Sequence, residues 1–370
     1  MRIGLVTWIG RGNFGTTLQS FALCRKLQMM GHDVYFPMQC IPSNPIKELV
    51  KKVLYFFGYD EFRRKHEYAL SNPYNGLKLY RFIHRYYKIK TPYSMRNFKR
   101  IVMNTDMFVT GSDQIWNVIH KFEPFMFLDF AGDKKRIAYA SSIGLSYFPI
   151  EYQEQVKELI NKFSYIGVRE QTGVDVLSKL TGRSDIIQVL DPTFLLTSED
   201  WGDLCNDSTY EIDLPKKYIL CYLIANNCWY KEQLHDVVAK TGIKDVIIIP
   251  SAENPNVEID KTVIYRYASP IEFVDLIRRA NFVCTDSFHA IALSINLSKD
   301  FVVFKRFLDT EKNSQNSRIY DILSHYKLMD RLYEKVHAKW TSSIVYDEVM
   351  KILDVDRKKS NDYLINAIGK

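Results

Sequence analysis

The chain has 370 residues, 46% hydrophobic and 25% charged, the balance of a folded protein with room for two cores rather than of a disordered one. Lys+Arg 50 against Asp+Glu 43 leaves a net charge of +7, a mild bias that suits a small anionic substrate or an acidic membrane surface and is too diffuse for a nucleic-acid protein. No run approaches the ~20 apolar residues of a membrane helix. The six cysteines (Cys24, Cys40, Cys205, Cys221, Cys228, Cys284) contain no C-x-x-C pair, so reduced thiols in a cytoplasmic protein are expected, with no metal.

Residues 2–9 read as a buried first strand, too short for a signal peptide. A helix over 16–30 carries Leu18, Phe21, Ala22, Leu27 and Met30 at near-helical period, closes at Gly31 and leads to a strand at 34–36. This βαβ opening predicts a parallel sheet. Residues 45–90 interrupt the alternation with two expected helical pieces separated by SNPYNG (71–76). They mix Lys47, Lys51, Lys52, Arg63, Arg64 and Lys65 with Leu54, Tyr55, Phe56 and Phe57, then Arg81, Arg85 and Lys88 with Phe82, Tyr86 and Tyr87. Two readings stand: a surface that rests on an anionic bilayer, or a solvated cover whose aromatics pack on the sheet.

The alternation then resumes: helix 93–103, strands 106–110 and 136–140, helix 152–162, strand 165–168, helix 170–180 and strand 186–190, closed by Asp191-Pro192. Polar residues gather over 206–217 as a linker. Strands follow at 218–225, 246–249, 282–285 and 301–304, with helices at 230–241, 270–280 and 290–296. The amphipathic tail, 344–367, is expected to pack back on the first half. The fold class is therefore α/β: two doubly wound Rossmann-like domains facing a central cleft. Residues 1–206 form the acceptor side with its insertion at about 45–90, residues 207–340 the donor side, and residues 341–370 the returning helix.

Two strand ends carry the chemistry. VTGSDQIWN (109–117) and CTDSFHAIALSI (284–295) both open from an apolar run into small polar residues, where open α/β sheets bind ligands. The second places His289, an imidazole tunable near neutrality, on the first turn of a helix. Asp286 either orients that imidazole or caps the helix, and the cap is the favoured reading. Gly10, Gly12 and Gly15 form G-x-G-x-x-G between strand and helix, a turn that brings N–H groups to an anion. A dinucleotide site also wants a carboxylate after the second strand, but Pro37-Met38-Gln39-Cys40 offers none. The loop reads instead as a close approach for sugar or phosphate, or as a tight turn without a ligand.

Asn13-x-Gly15-x-x-Leu18-Gln19-Ser20, GSDQIWN, Val168-Arg169-Glu170, Leu190-Asp191-Pro192-Thr193 and TDSFHA, in that order and spanning most of the chain, resemble the polysaccharide pyruvyl transferase family. The resemblance implies a GT-B-like fold and transfer of pyruvate from phosphoenolpyruvate onto two hydroxyls of a sugar, a galactose-type residue of a surface polysaccharide or of its lipid-linked precursor, as a cyclic ketal. It matches His289 and Arg169 to catalytic and donor-site residues. Ser287 stands where many members carry arginine, so either another cation replaces it or the donor differs. Phosphoenolpyruvate needs several cations, and Lys305, Arg306 and Arg318 join Arg169 and Ser287 as donor-binding candidates. Asn13, Gly15, Gln19, Asp113, Gln114, Trp116 and Asn117 are the acceptor candidates, the indole offering a face to a sugar. Besides the acceptor, the expected partners are phosphoenolpyruvate as donor substrate and peripheral membrane contact, with no nucleic acid and no cofactor. Rival readings are a nucleotide-sugar glycosyltransferase, for which Asp309, Glu311 and Asp321 leave a ribose ligand open, and a non-enzymatic carbohydrate-binding protein.

Overall fold

A computed structural model describes residues 1–10, 13–71, 75–119, 121–206, 208–250, 257, 259–307 and 316–369. Parts of three sequence motifs lie outside these residues: Arg11 and Gly12 of the glycine loop, 72–74 of SNPYNG, and Asp309 and Glu311.

The described strands form two parallel sheets. The first holds β1 (Arg2–Val6), β2 (Asp33–Pro37), β3 (Ile89–Lys90), β4 (Met107–Thr110), β5 (Lys135–Ser141), β6 (Tyr165–Val168) and β7 (Ile187–Gln188), in the order β3-β2-β1-β4-β5-β6-β7. The second holds β8 (Ile219–Leu223), β9 (Val246–Pro250), β10 (Thr262–Ile264), β11 (Phe282–Thr285) and β12 (Phe301–Val303), in the order β10-β9-β8-β11-β12. Central strands such as β4 and β8 are buried at every residue, as parallel strands covered on both faces must be. Strand order reverses between β1 and β4 and again between β8 and β11, and at such switch points the diverging loops leave a crevice beyond the strands' carboxyl ends. The glycine loop follows β1, GSDQ follows β4, and Asp286 to His289 follow β11. Both crevices are thus edged by the motifs singled out in the sequence.

The helix Phe14–Met29 differs from its one-stripe expectation: twelve of its sixteen residues are buried, Thr16, Thr17, Gln19 and Ser20 among them. It is wedged between the first sheet and the second half of the chain. Its Phe14 stacks on Phe273 of the helix Pro270–Arg279, with centroids 4.6 Å apart and planes 3° from parallel.

The 45–90 insertion is three helices, Pro45–Phe56, Tyr59–Ser71 and Gly76–Tyr86, where two were expected. The extra break falls at Gly58, whose φ of +71° a residue with a Cβ adopts only under strain. The third helix joins the core through Leu79, Tyr80, Phe82 and Ile83. Lys78 on it spans the halves, its Nζ 3.2 Å from the buried Glu272 carboxylate and 3.0 Å from Glu211. For this third piece the aromatic residues are core; the first two helices contribute no buried residue. The C-terminal helix Tyr346–Ile368 lies on the first sheet, where the Tyr363 hydroxyl donates to the Ala138 carbonyl (2.7 Å) and the Leu190 N–H donates to Ser360 Oγ (3.0 Å). Among the described residues no helix is long and apolar enough to cross a membrane. All six cysteines are free thiols.

Candidate active site

Gly111 opens the loop after β4 at φ +129°, and a Cβ there would stand 2.8 Å from the Tyr139 carbonyl carbon, so the position demands glycine. Two residues on, Asp113 sits at φ +71° and turns its carboxylate toward the helix Phe14–Met29. Thr16 Oγ1 donates to Asp113 Oδ2 (2.8 Å), and the Gln114 N–H donates to Oδ1 (2.9 Å). Burial pushes the Asp113 carboxyl up, but His289, Arg169 and the hydrogen bonds from Thr16 and the Gln114 N–H together outweigh it and hold the group below its usual range.

Across the cleft, Ser287 precedes the helix Phe288–Asn296, which carries His289 as its second residue. The imidazole lies directly over Gly15: a Cβ built there would be 2.6 Å from His289 Cγ and nearer still to Nδ1. Its Nε2 stands 3.7 Å from Asp191 Oδ2, an ion-pair distance too long for a hydrogen bond, and has no hydrogen-bond partner among the described residues.

Asp191 is the hub beneath this imidazole. Arg169 Nη1 donates to its Oδ2 (3.0 Å), while the Thr193 N–H and hydroxyl donate to Oδ1 (3.0 and 2.8 Å). Burial works to raise the Asp191 carboxyl, yet His289, Arg169 and the Thr193 N–H keep it well below the carboxylate range. Arg169 is buried, its guanidinium 4.9 Å from the Phe288 ring centroid and its Nη2 without a hydrogen bond among the described residues. Arg306 Nη2 donates to the Asp286 carbonyl (3.2 Å), which sets its guanidinium beside Ser287. Burial, the nearby Arg169 and, against them, Asp113 bring Arg318 down to about 10.

These groups edge two chambers that share Phe288 and Arg318. The smaller, about 210 Å³, is lined by Trp8, Asn13, Thr16, Asp113, Gln114, Ser287, His289, Arg306, Asn316 and Arg318, among others. The larger, about 460 Å³, takes in Arg169, Glu170, Gln188, Asp191, Asp321, His325, Tyr326 and Asp356.

Several expected site residues stand elsewhere. Trp116 is fully buried, stacked 5.4 Å from Phe127, and its indole N–H donates to the Met126 carbonyl, so its face is closed to a sugar. Gln19 is also fully buried and ties its helix to the loop after β4, accepting from the Ser112 N–H (3.1 Å) and donating to the Thr16 carbonyl of its own helix (2.9 Å). Asn117 Oδ1 accepts from the Ile119 N–H and lines neither chamber. The Lys305 ammonium sits 5.8 Å from the Tyr320 ring centroid, outside both chambers. Asn13 reaches the smaller chamber, but its Oδ1 accepts from the Gly15 N–H as the helix cap. Gly15 serves as the bed for the imidazole. Asp286 neither orients the imidazole nor caps its helix. Its carboxylate accepts from the Ile224 and Ala225 N–H groups (2.6 and 2.9 Å) and the Tyr230 hydroxyl (2.9 Å), tying the ends of β8 and β11 together.

Sequence reasoning missed Asp191 and Glu170 as site groups. Both stand in motifs quoted for the resemblance, but only the fold brings Asp191 under His289, 98 positions away. Glu170 Oε1 accepts from the Ser142 hydroxyl (2.6 Å) and the Ile143 and Gly144 N–H groups, which shapes the wall between β5 and β6.

Comparison with known proteins adds a family. The polysaccharide pyruvyl transferase family matches residues 13–306. No curated protein matches the chain. Among solved structures, a protein described as a UDP-N-acetylglucosamine 2-epimerase from Listeria monocytogenes shares 10% identity at TM-score 0.50, covering 99% of this chain and 90% of its own. UDP-GlcNAc 2-epimerase from Neisseria meningitidis shares 12% at TM-score 0.49, covering 99% and 100%. At 10% identity the likeness to the Listeria protein concerns the fold alone.

Proposed function

Because the chain belongs to the polysaccharide pyruvyl transferase family, we propose that its cleft moves the pyruvyl group of phosphoenolpyruvate onto two hydroxyls of a galactose-type sugar, forming a cyclic ketal and releasing phosphate. One observation carries the reading: Arg306 and Arg318 line the chamber that holds the His289 imidazole, and Arg169 lines the adjoining chamber, which shares Arg318 with it. A doubly acidic three-carbon donor presents a phosphate and a carboxylate, the groups that guanidinium side chains bind in bidentate fashion. Arg306, beside Ser287, provides the cation for which many family members use arginine at that position.

In the reaction, His289 donates a proton to the methylene carbon of the donor, and the adjacent C2 becomes oxocarbenium-like. One sugar hydroxyl bonds to C2. The second hydroxyl then bonds to the same carbon as the C2–O bond to phosphate breaks. Of the two hydroxyl protons, one replaces the proton His289 gave and the other leaves with phosphate. Asp113, kept ionised, accepts the hydrogen bond of the incoming hydroxyl. Asp191 holds the imidazole from below through charge. Arginines bind the phosphate and carboxylate and stabilise the charge that grows on the leaving oxygen.

The test is incubation of the protein with phosphoenolpyruvate and a galactoside, with mass measurement of the sugar and assay of phosphate. A sugar carrying one pyruvate ketal for each phosphate released is expected. Sugar transfer from a nucleotide sugar with no reaction of phosphoenolpyruvate would replace this reading with a glycosyltransferase, and binding without turnover of either would leave a carbohydrate-binding protein.

A further inference from the structure

The helix Pro45–Phe56 carries an apolar stripe that no described residue covers. Ile46, Leu49, Val50, Val53, Phe56 and the following Phe57 recur at helical spacing, and all are exposed, Ile46 at 75%, Phe56 at 71% and Phe57 at 84%. At 100° per residue these six fall within one third of the helix circumference. Lys47 flanks the stripe on one side and Lys52 on the other, with Lys51 behind. The helix is held on the body from its opposite side, where the Tyr55 ring stands 5.5 Å from that of Tyr93. The next helix, Tyr59–Ser71, exposes Phe62 at 65% beside Arg63 and Lys65, while its Tyr68 hydroxyl lies against Gly10, two residues past Trp8, which lines the smaller chamber.

An amphipathic helix in a soluble protein ordinarily turns its apolar stripe inward; this one turns it out. We propose that the stripe of Pro45–Phe56 inserts into the headgroup boundary of an anionic lipid bilayer, with Lys47 and Lys52 on lipid phosphates, and so sets the cleft mouth at a membrane surface. Charge decides between a bilayer and a second copy of the chain. A two-fold self-contact over this stripe would bring its lysine flanks against their own copies. An anionic headgroup layer turns the same lysines into favourable contacts. The inference stands on the surface alone and does not depend on which reaction the cleft performs.

The experiment is co-sedimentation of the full chain with vesicles of phosphatidylcholine alone or with about one-third phosphatidylglycerol, at low and high salt. The wild type is expected to pellet with the anionic vesicles and to be released as salt rises. Leu49→Glu/Val53→Glu is expected to lower partition at least about tenfold, and Lys47→Glu/Lys52→Glu to erase the preference for anionic lipid. All four positions are exposed, so an unchanged circular dichroism spectrum is expected. Failure of the wild type to bind either vesicle, or equal binding by the Leu49/Val53 variant, overturns the proposal. So does a concentration-dependent dimer seen by light scattering that Leu49→Glu/Val53→Glu abolishes while vesicles are ignored.

Discussion

Gly15→Ala tests the site most sharply, because it separates the fold from the chemistry. Gly15 lies in the first turn of a regular helix, so alanine is compatible with its backbone, and the exchange favours the helix by up to about 1 kcal/mol. The added methyl has no room. It would stand 2.6 Å from His289 Cγ, whereas unstrained carbon contacts begin near 3.5 Å, so the imidazole must retreat by about 1 Å. The ring can swing on its own side chain, which spares the core but moves it relative to Asp191 and to the chamber holding Arg306 and Arg318. A misplacement of that size costs on the order of 100-fold in turnover. Steady-state assay of ketal formation is expected to show that loss, with a melting temperature equal to or above wild type. Wild-type turnover in a folded Gly15→Ala protein would refute the placement of His289 at the reacting carbon.

Asp191→Asn removes the buried anion that faces Arg169 and His289, and leaves a buried guanidinium undercompensated; urea melts at pH 7 are expected to show a loss of about 2–4 kcal/mol. The folded carboxyl is depressed below its free value near 3.9, so its stabilisation is complete above about pH 5 and fades as pH falls through 4 toward the folded value. The gap between variant and wild type should therefore shrink in acid; a constant gap would show that the charge is not what matters. Arg318→Met removes a guanidinium that lines both chambers, and calorimetry should show phosphoenolpyruvate binding weakened by about 10- to 100-fold. Trp116→Ala empties a fully buried site and is expected to cost about 3–5 kcal/mol in denaturant melts, with the acceptor KM of the folded fraction unchanged. A selective rise in that KM would return the indole to the sugar site. Phosphoenolpyruvate alone should raise the melting temperature of the wild type, and His289→Ala should preserve that rise while abolishing turnover.

The sequence by itself determined the parallel α/β halves, because strand and helix periods alternate along it and parallel strands need the crossovers that follow. It also determined that ligand-facing polarity collects after β4 and β11, since Thr-Gly-Ser and Thr-Asp-Ser break two apolar runs at the strand ends. Short edges such as β3 and β10 left no trace, for two or three residues carry too little period to register. What only the tertiary structure decided is which polar side chain faces the cleft. Gln19, Trp116 and Asp286 have the chemistry of site residues, but their hydrogen-bonding groups are spent inside the fold, on Ser112, Met126 and the end of β8. Asp191 looked like the stop of a strand, yet it lies beneath His289. Burial and charge pairing are sums over neighbours distant in sequence, so local pattern names the candidates and packing chooses among them.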